Sequence, residues 1–249
     1  MKDLIKRFLR QCGVHLYTSD SLPCGVDWLH DIRRHGRMLR AATPLCLDVG
    51  ANVGQTVQAL LQAFPNASIH AFEPFAEPLR LLRQRVERLS RVRVVPAALG
   101  SMDGVAMVQA QARSELNTLR HAHAETGASA EAAAGQERID IQTLDGYCGR
   151  AGIGAVDILK IDTEGYDVEV LRGGLEGLQR AAFRYIYVEV TFLDANANNT
   201  PFEQVFALLQ RHGYRLLGIY ETYSMHHFPA PNHFCNALFV APEHAAGRT

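Results

Sequence analysis

Apolar positions fall into short runs and helical stripes from about residue 45 onward. Leu45-Cys46-Leu47-Asp48-Val49, ending in an acid and a glycine, predicts a buried strand. Val53, Val57, Leu60, Leu61 and Phe64 follow at steps of four, three, one and three, and Pro65-Asn66 stops that helical face. Ser68 to Glu73 predicts a second strand, Phe75, Leu79, Leu82, Val86 and Leu89 a second helix, and Val92 to Ala97 a third strand. Strand, helix, strand, helix, strand with short connections requires parallel pairing and right-handed crossovers. The expectation is a doubly wound α/β sheet.

The rhythm breaks over residues 98–145. Val105 to Val108 and Arg138 to Ile141 predict extra strands, and Ala122 to Gln136 reads as a loop or weak helix. The α/β pattern resumes with Val156 to Ile161 as a fourth strand, and Val168, Leu171, Leu175 and Leu178 share one helical face. Tyr185 to Val190 is a fifth strand. Thr200-Pro201-Phe202-Glu203 reads as a capping box opening a helix that Gly213 closes. Tyr214 to Tyr220 and Cys235 to Val240 have only a loop between them and are expected to pair antiparallel. Seven strands and a small β insertion make up a domain over 44–242, after a helical lead-in over 1–43 and before a tail over 243–249. Trp28, Leu29 and Ile32 sit at helical spacing and are expected to dock the lead-in on the core.

Composition narrows the function. The 249 residues are 47% hydrophobic, enough for a sizeable core. Lys+Arg 25 against Asp+Glu 26 lacks the basic surplus of a nucleic-acid clamp. No run approaches the roughly 18 apolar residues of a membrane span. Met1 to Arg10 has no apolar stretch of a secretory signal and reads as a solvated basic helix. Cys12, Cys24, Cys46, Cys148 and Cys235 form no Cys-x-x-Cys pair, which fits reduced thiols in a cytoplasmic protein.

Candidate chemistry gathers at the strand ends. Asp48-Val49-Gly50-Ala51-Asn52-Val53-Gly54 joins the first strand to the first helix. Glycines there let backbone approach a ligand, and helix N-terminal amides face it. Glu73, closing the second strand, can accept from both hydroxyls of a ribose. Pro74 after it and Ala98 after the third strand are assigned to the same crevice. A Gly-x-x-x-Gly spacing with an acid two residues before it departs from the dinucleotide fingerprint. Asp48 would repel a pyrophosphate and attract the ammonium group of a methionine moiety, which favours S-adenosylmethionine over NAD.

Asp162 and Glu164 follow the fourth strand, and Glu189 lies near the end of the fifth between Val188 and Val190. Charges inside apolar strands are costly unless paired or used. Asp162 and Glu164 can bind the cofactor's amino end, position an acceptor hydroxyl or hold a metal, and Glu189 can do the second or third; pairing of Lys160 with Asp162 or Glu189 is the structural alternative. Transfer of a methyl group to an alcohol oxygen needs a base within hydrogen-bond reach and an in-line approach. The candidate bases are Asp162, Glu164 and a histidine. His226, His227 and His233 read as loop histidines, and His121 and His123 are weaker candidates. No ligand spacing falls on a firm helix, so no metal is assigned.

Leu47-Asp48-Val49-Gly50-Ala51-Asn52-Val53-Gly54-Gln55, with Ala71-Phe72-Glu73-Pro74, resembles the FkbM family of S-adenosylmethionine-dependent methyltransferases. Leu159 to Asp167, Val170-Leu171-Arg172-Gly173-Gly174 and Asn236 to Val240 carry the same resemblance, which spans about residues 45 to 240. It implies a mostly parallel, Rossmann-like class I methyltransferase sheet with an antiparallel last strand. It also implies cofactor contacts around Asp48, Gly50, Asn52 and Glu73, with Asp162 and Glu164 near the reaction centre. The implied reaction is O-methylation of a sugar, glycoconjugate or secondary metabolite. A nicotinamide-dependent oxidoreductase and a catalytically silent cofactor-binding protein are the competing readings. The expected partner is a small-molecule or glycan acceptor, with no nucleic acid and no integral membrane segment.

Overall fold

The structure, a computed structural model, describes residues 7–9, 11–14, 17–18, 21–35, 43–109, 123–125, 136–192, 199–223 and 234–242. The main sheet is built from β1 (Leu45–Val49), β2 (Ser68–Phe72), β3 (Val92–Val95), β8 (Val156–Ile161), β9 (Phe183–Thr191), β10 (Arg215–Tyr223) and β11 (Phe234–Val240). Its strand order is β10-β11-β9-β8-β1-β2-β3. The pairs from β3 through β9 are parallel, whereas β11 runs antiparallel to both neighbours, β9 and β10. This is the expected class I layout: the order reverses between β1 and β8, so a crevice opens at the strand C-termini there.

Helices cover both faces: α1 (Trp28–His35), α2 (Gln55–Ala63), α3 (Ala76–Val86), α4 (Leu144–Ala151), α5 (Asp167–Arg172), α6 (Leu175–Gln179) and α7 (Phe202–Arg211). Strand alternation divides the core between them. Leu47, Val49, Leu159, Ile161, Ile186 and Val188 pack one face together with Val168, Leu178 and Val205 of the later helices. Cys46, Ile69, Ile158, Tyr185 and Tyr187 pack the other with α1 and α2. Each fully buried aliphatic or aromatic side chain contributes about 1.5–3 kcal/mol. Trp28 does dock the lead-in: its ring stacks on Tyr187, centroids 4.1 Å apart at 11°. Asp31 anchors the same helix by accepting from Tyr220 Oη and the Gly25 amide, each at 2.9 Å.

Four strands among the described residues of 98–145 form a second sheet of order β4-β7-β5-β6. It comprises β4 (Ala98–Gly100), β5 (Gly104–Gln109), β6 (His123–Glu125) and β7 (Gln136–Thr143). The predicted strands at 105–108 and 138–141 are β5 and β7, which pair antiparallel. The stripe from Val168 to Leu178 is two short helices that separate at Gly173-Gly174, where a β-carbon on Gly173 would come 2.0 Å from the Gly100 carbonyl oxygen. The capping box is also corrected. Pro201 is the N-cap, and no side chain caps α7. Thr200 instead donates its hydroxyl to Asp167 Oδ2 at 2.5 Å, while its carbonyl accepts from the Thr191 amide. His121, His226, His227, His233 and the tail over 243–249 lie outside the described residues.

Candidate active site

The loop after β1 is shaped by three left-handed residues, Gly50 (φ 78°), Asn52 (φ 47°) and Gly54 (φ 90°). Asparagine tolerates that region better than other side-chain-bearing residues. The amides of Gly50 and Ala51 both donate to the Phe72 carbonyl, at 3.1 and 2.9 Å, which ties the loop to β2. Gly54 serves packing: a β-carbon there would meet Leu82 Cδ1 of α3 at 2.9 Å.

Glu73 lies where β2 ends and is 4% exposed. Its Oε2 accepts from the Asn52 amide and its Oε1 from the Phe75 amide, each at 2.9 Å. Burial pushes its carboxyl up to about 7, against the opposing pull of the two amides and Lys160. Each oxygen takes one of these bonds and has capacity for another.

Asp48 lies behind the loop, fully buried. Its partner is Lys160, which pairs with Asp162, one of its two expected partners, and with Asp48 as well. The ammonium is 3.3 Å from Asp48 Oδ1 and 3.4 Å from Asp162 Oδ2, and it donates to the Gly50 carbonyl at 3.1 Å. Burial alone would discharge this lysine, but the two carboxylates outweigh burial and hold it above its ordinary value. Burial raises Asp48, and the Lys160 charge opposes that. One cation therefore ties the glycine loop to the end of β8.

The turn after β8 is compact. The Asp162 amide donates to the Val49 carbonyl at 3.0 Å, and Asp167 Oδ1 accepts from the Thr163 amide at 3.0 Å. Glu164 (φ 52°) and Gly165 (φ 92°) are left-handed. A glutamate in that region costs about 1–2 kcal/mol, a strain typical of functional turns.

These elements enclose a cleft open to solvent. Gly50, Asn52, Glu73, Pro74, Ala98, Asp162 and Glu164 line it, as do Phe72, Phe75, Ala97, Leu99 and Thr163. Asp48 stands behind this lining, Gly54 lies a turn away, and Glu189 is one strand further along the sheet. Phe75, Ala97, Leu99 and Thr163 were missed by sequence reasoning. Phe75 read as part of a helix stripe, Ala97 and Leu99 are apolar and carried no mark, and Thr163 stood unremarked between the two acids Asp162 and Glu164. Asn52 Oδ1 and Thr163 Oγ1 are buried without a hydrogen-bond partner, and both residues line the cleft. Unsatisfied buried polar atoms beside an open cleft are what a hydrogen-bonding ligand would complete. An apolar wall, a doubly held carboxylate and further acids fit the adenine, ribose and cationic amino end of S-adenosylmethionine. Among the described residues, no group of three or more His, Cys, Asp or Glu is arranged to hold a metal.

The fold and cleft define a methyltransferase of the class I architecture. The model of the FkbM methyltransferase domain matches residues 48–216, and the chain belongs to that family. It is an S-adenosylmethionine-dependent methyltransferase. It is 30% identical over 210 residues to the 31-O-demethyl-FK506 methyltransferase FkbM of Streptomyces tacrolimicus, covering 74% of this chain and 77% of that one. It is 25% identical over 189 residues to the 2-O-methyltransferase NoeI of Sinorhizobium fredii, covering 69% and 73%. No helix among the described residues is long and apolar enough to cross a membrane.

Proposed function

We propose that this protein transfers the methyl group of S-adenosylmethionine to a hydroxyl of a small molecule, a sugar or glycoconjugate being the favoured acceptor class and a secondary metabolite the alternative. The observation that carries the reading is Glu73, held by the Asn52 and Phe75 amides at the edge of a cleft where Asn52 and Thr163 retain unpaired polar atoms. When bound, the cofactor supplies a methyl group activated on a sulfonium. The chain's residues bind and orient it. Glu73 accepts from the ribose hydroxyls, and Phe75, Ala98 and Leu99 give the adenine an apolar wall. Gly50 lets the loop after β1 close on the Asp162 backbone, and Asp162, backed by Lys160 and Asp48, faces the amino end. The names of the two relatives, both O-methyltransferases, support a hydroxyl acceptor. Free cysteines, two of them exposed, support a reducing compartment such as the cytoplasm.

Calorimetric titration with S-adenosylmethionine, its demethylated product and NADH tests the cofactor. Micromolar binding of the first two, and none of NADH, is expected. Binding of NADH alone would replace this reading with the oxidoreductase one.

A further inference from the structure

Glu189 stands one strand beyond Asp162 at the same level of the sheet. The β8–β9 register ends with Ile161 opposite Val188, so Asp162, the first residue after β8, and Glu189 follow on from that pair, and the Asp162 charge acts on Glu189. Lys160 pairs with Tyr187, so alternation puts Asp162 and Glu189 on one face. Asn236 of β11 continues the row. Glu189 Oε1 accepts from Tyr223 Oη at 2.7 Å, and the Tyr223 ring is stacked on Phe234, centroids 5.6 Å apart at 16°. Among the described residues, Oε2 of Glu189 accepts no hydrogen bond.

The other acids are placed differently. Asp162 has an oxygen on Lys160, and Glu164 sits on a left-handed turn within the cofactor cleft. Glu189 is half-buried, outside that cleft, and makes no salt bridge among the described residues. We propose that Glu189 is the general base for the acceptor hydroxyl and that Tyr223 is the positioning residue that fixes its carboxylate. This rests on the methyltransferase reading of the cleft given above. In the step, Glu189 takes the hydroxyl proton as the acceptor oxygen bonds to the methyl carbon. The electron pair of the broken carbon–sulfur bond stays on sulfur.

The electrostatics agree with that role. Burial and then the Asp162 charge push the Glu189 carboxyl up to about 8, opposed by the Tyr223 hydrogen bond. A base works best with an affinity for protons near the working pH. The charged and titratable groups acting on it are Lys160 from β8, Asp162 from the turn after β8, Asp167 from α5, Tyr223 from β10 and Cys235 from β11. Tyr223→Phe removes a donor that favours the charged carboxylate, so it must raise the carboxyl further.

The experiment uses the full chain. Methyl transfer from labelled S-adenosylmethionine to a panel of methyl pyranosides and cyclohexanediols is measured against pH for wild type, Glu189→Gln, Glu189→Asp and Tyr223→Phe. Carbon-13 glutamate spectra of the same proteins read the carboxyl titration directly, with Glu189→Gln identifying the signal. Calorimetry with S-adenosylmethionine checks that each variant folds. The expected result is cofactor affinity within about twofold of wild type, with kcat down about a hundredfold or more in Glu189→Gln. Glu189→Asp should recover part of the loss. Tyr223→Phe should move both the acid limb of kcat and the carbon-13 midpoint upward together. Glu189→Gln with near-normal kcat, or Tyr223→Phe that leaves the acid limb in place, overturns the assignment. A wild type that binds no S-adenosylmethionine, or binds it and methylates nothing in the panel, overturns the proposed function on which the assignment stands.

Discussion

Gly50 is packed so closely against Asp162 that a β-carbon on it would lie 1.8 Å from the Asp162 carbonyl oxygen. Backbone meets backbone at that contact, so no rotamer can relieve it. The φ of 78° adds a second penalty for any other residue. Gly50→Ala should therefore destabilise the protein by about 3 kcal/mol or more. Urea unfolding followed by circular dichroism measures this, and a midpoint unchanged from wild type would contradict the contact.

Lys160 is the counter-charge for two carboxylates. Lys160→Met leaves Asp48 buried with no cation beside it, a loss that costs about 3–5 kcal/mol. Adding Asp48→Asn removes the orphaned charge and should restore at least half of that stability. Equal instability of the single and double variants would show that the ammonium acts through packing alone.

Glu73 must be ionised to accept from two hydroxyls, yet its carboxyl is raised to about 7 in the free protein. The sign follows directly. Above that value the cleft is ready to bind; below it, binding must first expel a proton, and affinity falls by up to about tenfold per pH unit. Calorimetry with S-adenosylmethionine between pH 5.5 and 8.5 should show this slope (these limits are ~1.5 units either side of that midpoint). Glu73→Ala should weaken binding more than about tenfold and flatten the slope. Equal affinity in a folded variant would remove Glu73 from the ribose site.

Asp162→Asn should keep the fold and lower turnover by about a hundredfold or more. Asp162 is also the largest charge raising Glu189, so the same variant should move the Glu189 carboxyl downward in a carbon-13 titration. Near-normal turnover would leave Asp162 with a structural role only.

Legibility from sequence followed the physics of each element. Strands such as Leu45–Val49 and Val156–Ile161 are buried on both faces, and their apolar runs announced them. Gly50 and Glu73 were readable because a tight βα turn and an acid at a strand end have little other reason to occur. Lys160 does pair with Asp162, one of the two partners expected for it, but Asp48 was not legible because register decides that partner: it stands opposite Lys160 only through the β1–β8 pairing. Tyr223 was invisible for the same reason, since its contact with Glu189 depends on an antiparallel register and a bulge in β10. Thr200 shows a local rule overridden, its hydroxyl drawn from the helix end to buried Asp167.

The antiparallel β11 has a consequence for how the molecule is made. β10 has no neighbour in the sheet except β11, and β11 comes last among the described strands. During synthesis, β10 leaves the ribosome with nothing to pair with and β9 has an open edge. Both wait for Phe234–Val240. Glu189 and Tyr223 belong to those waiting strands, so their hydrogen bond takes its native surroundings only when the final strand lies between them.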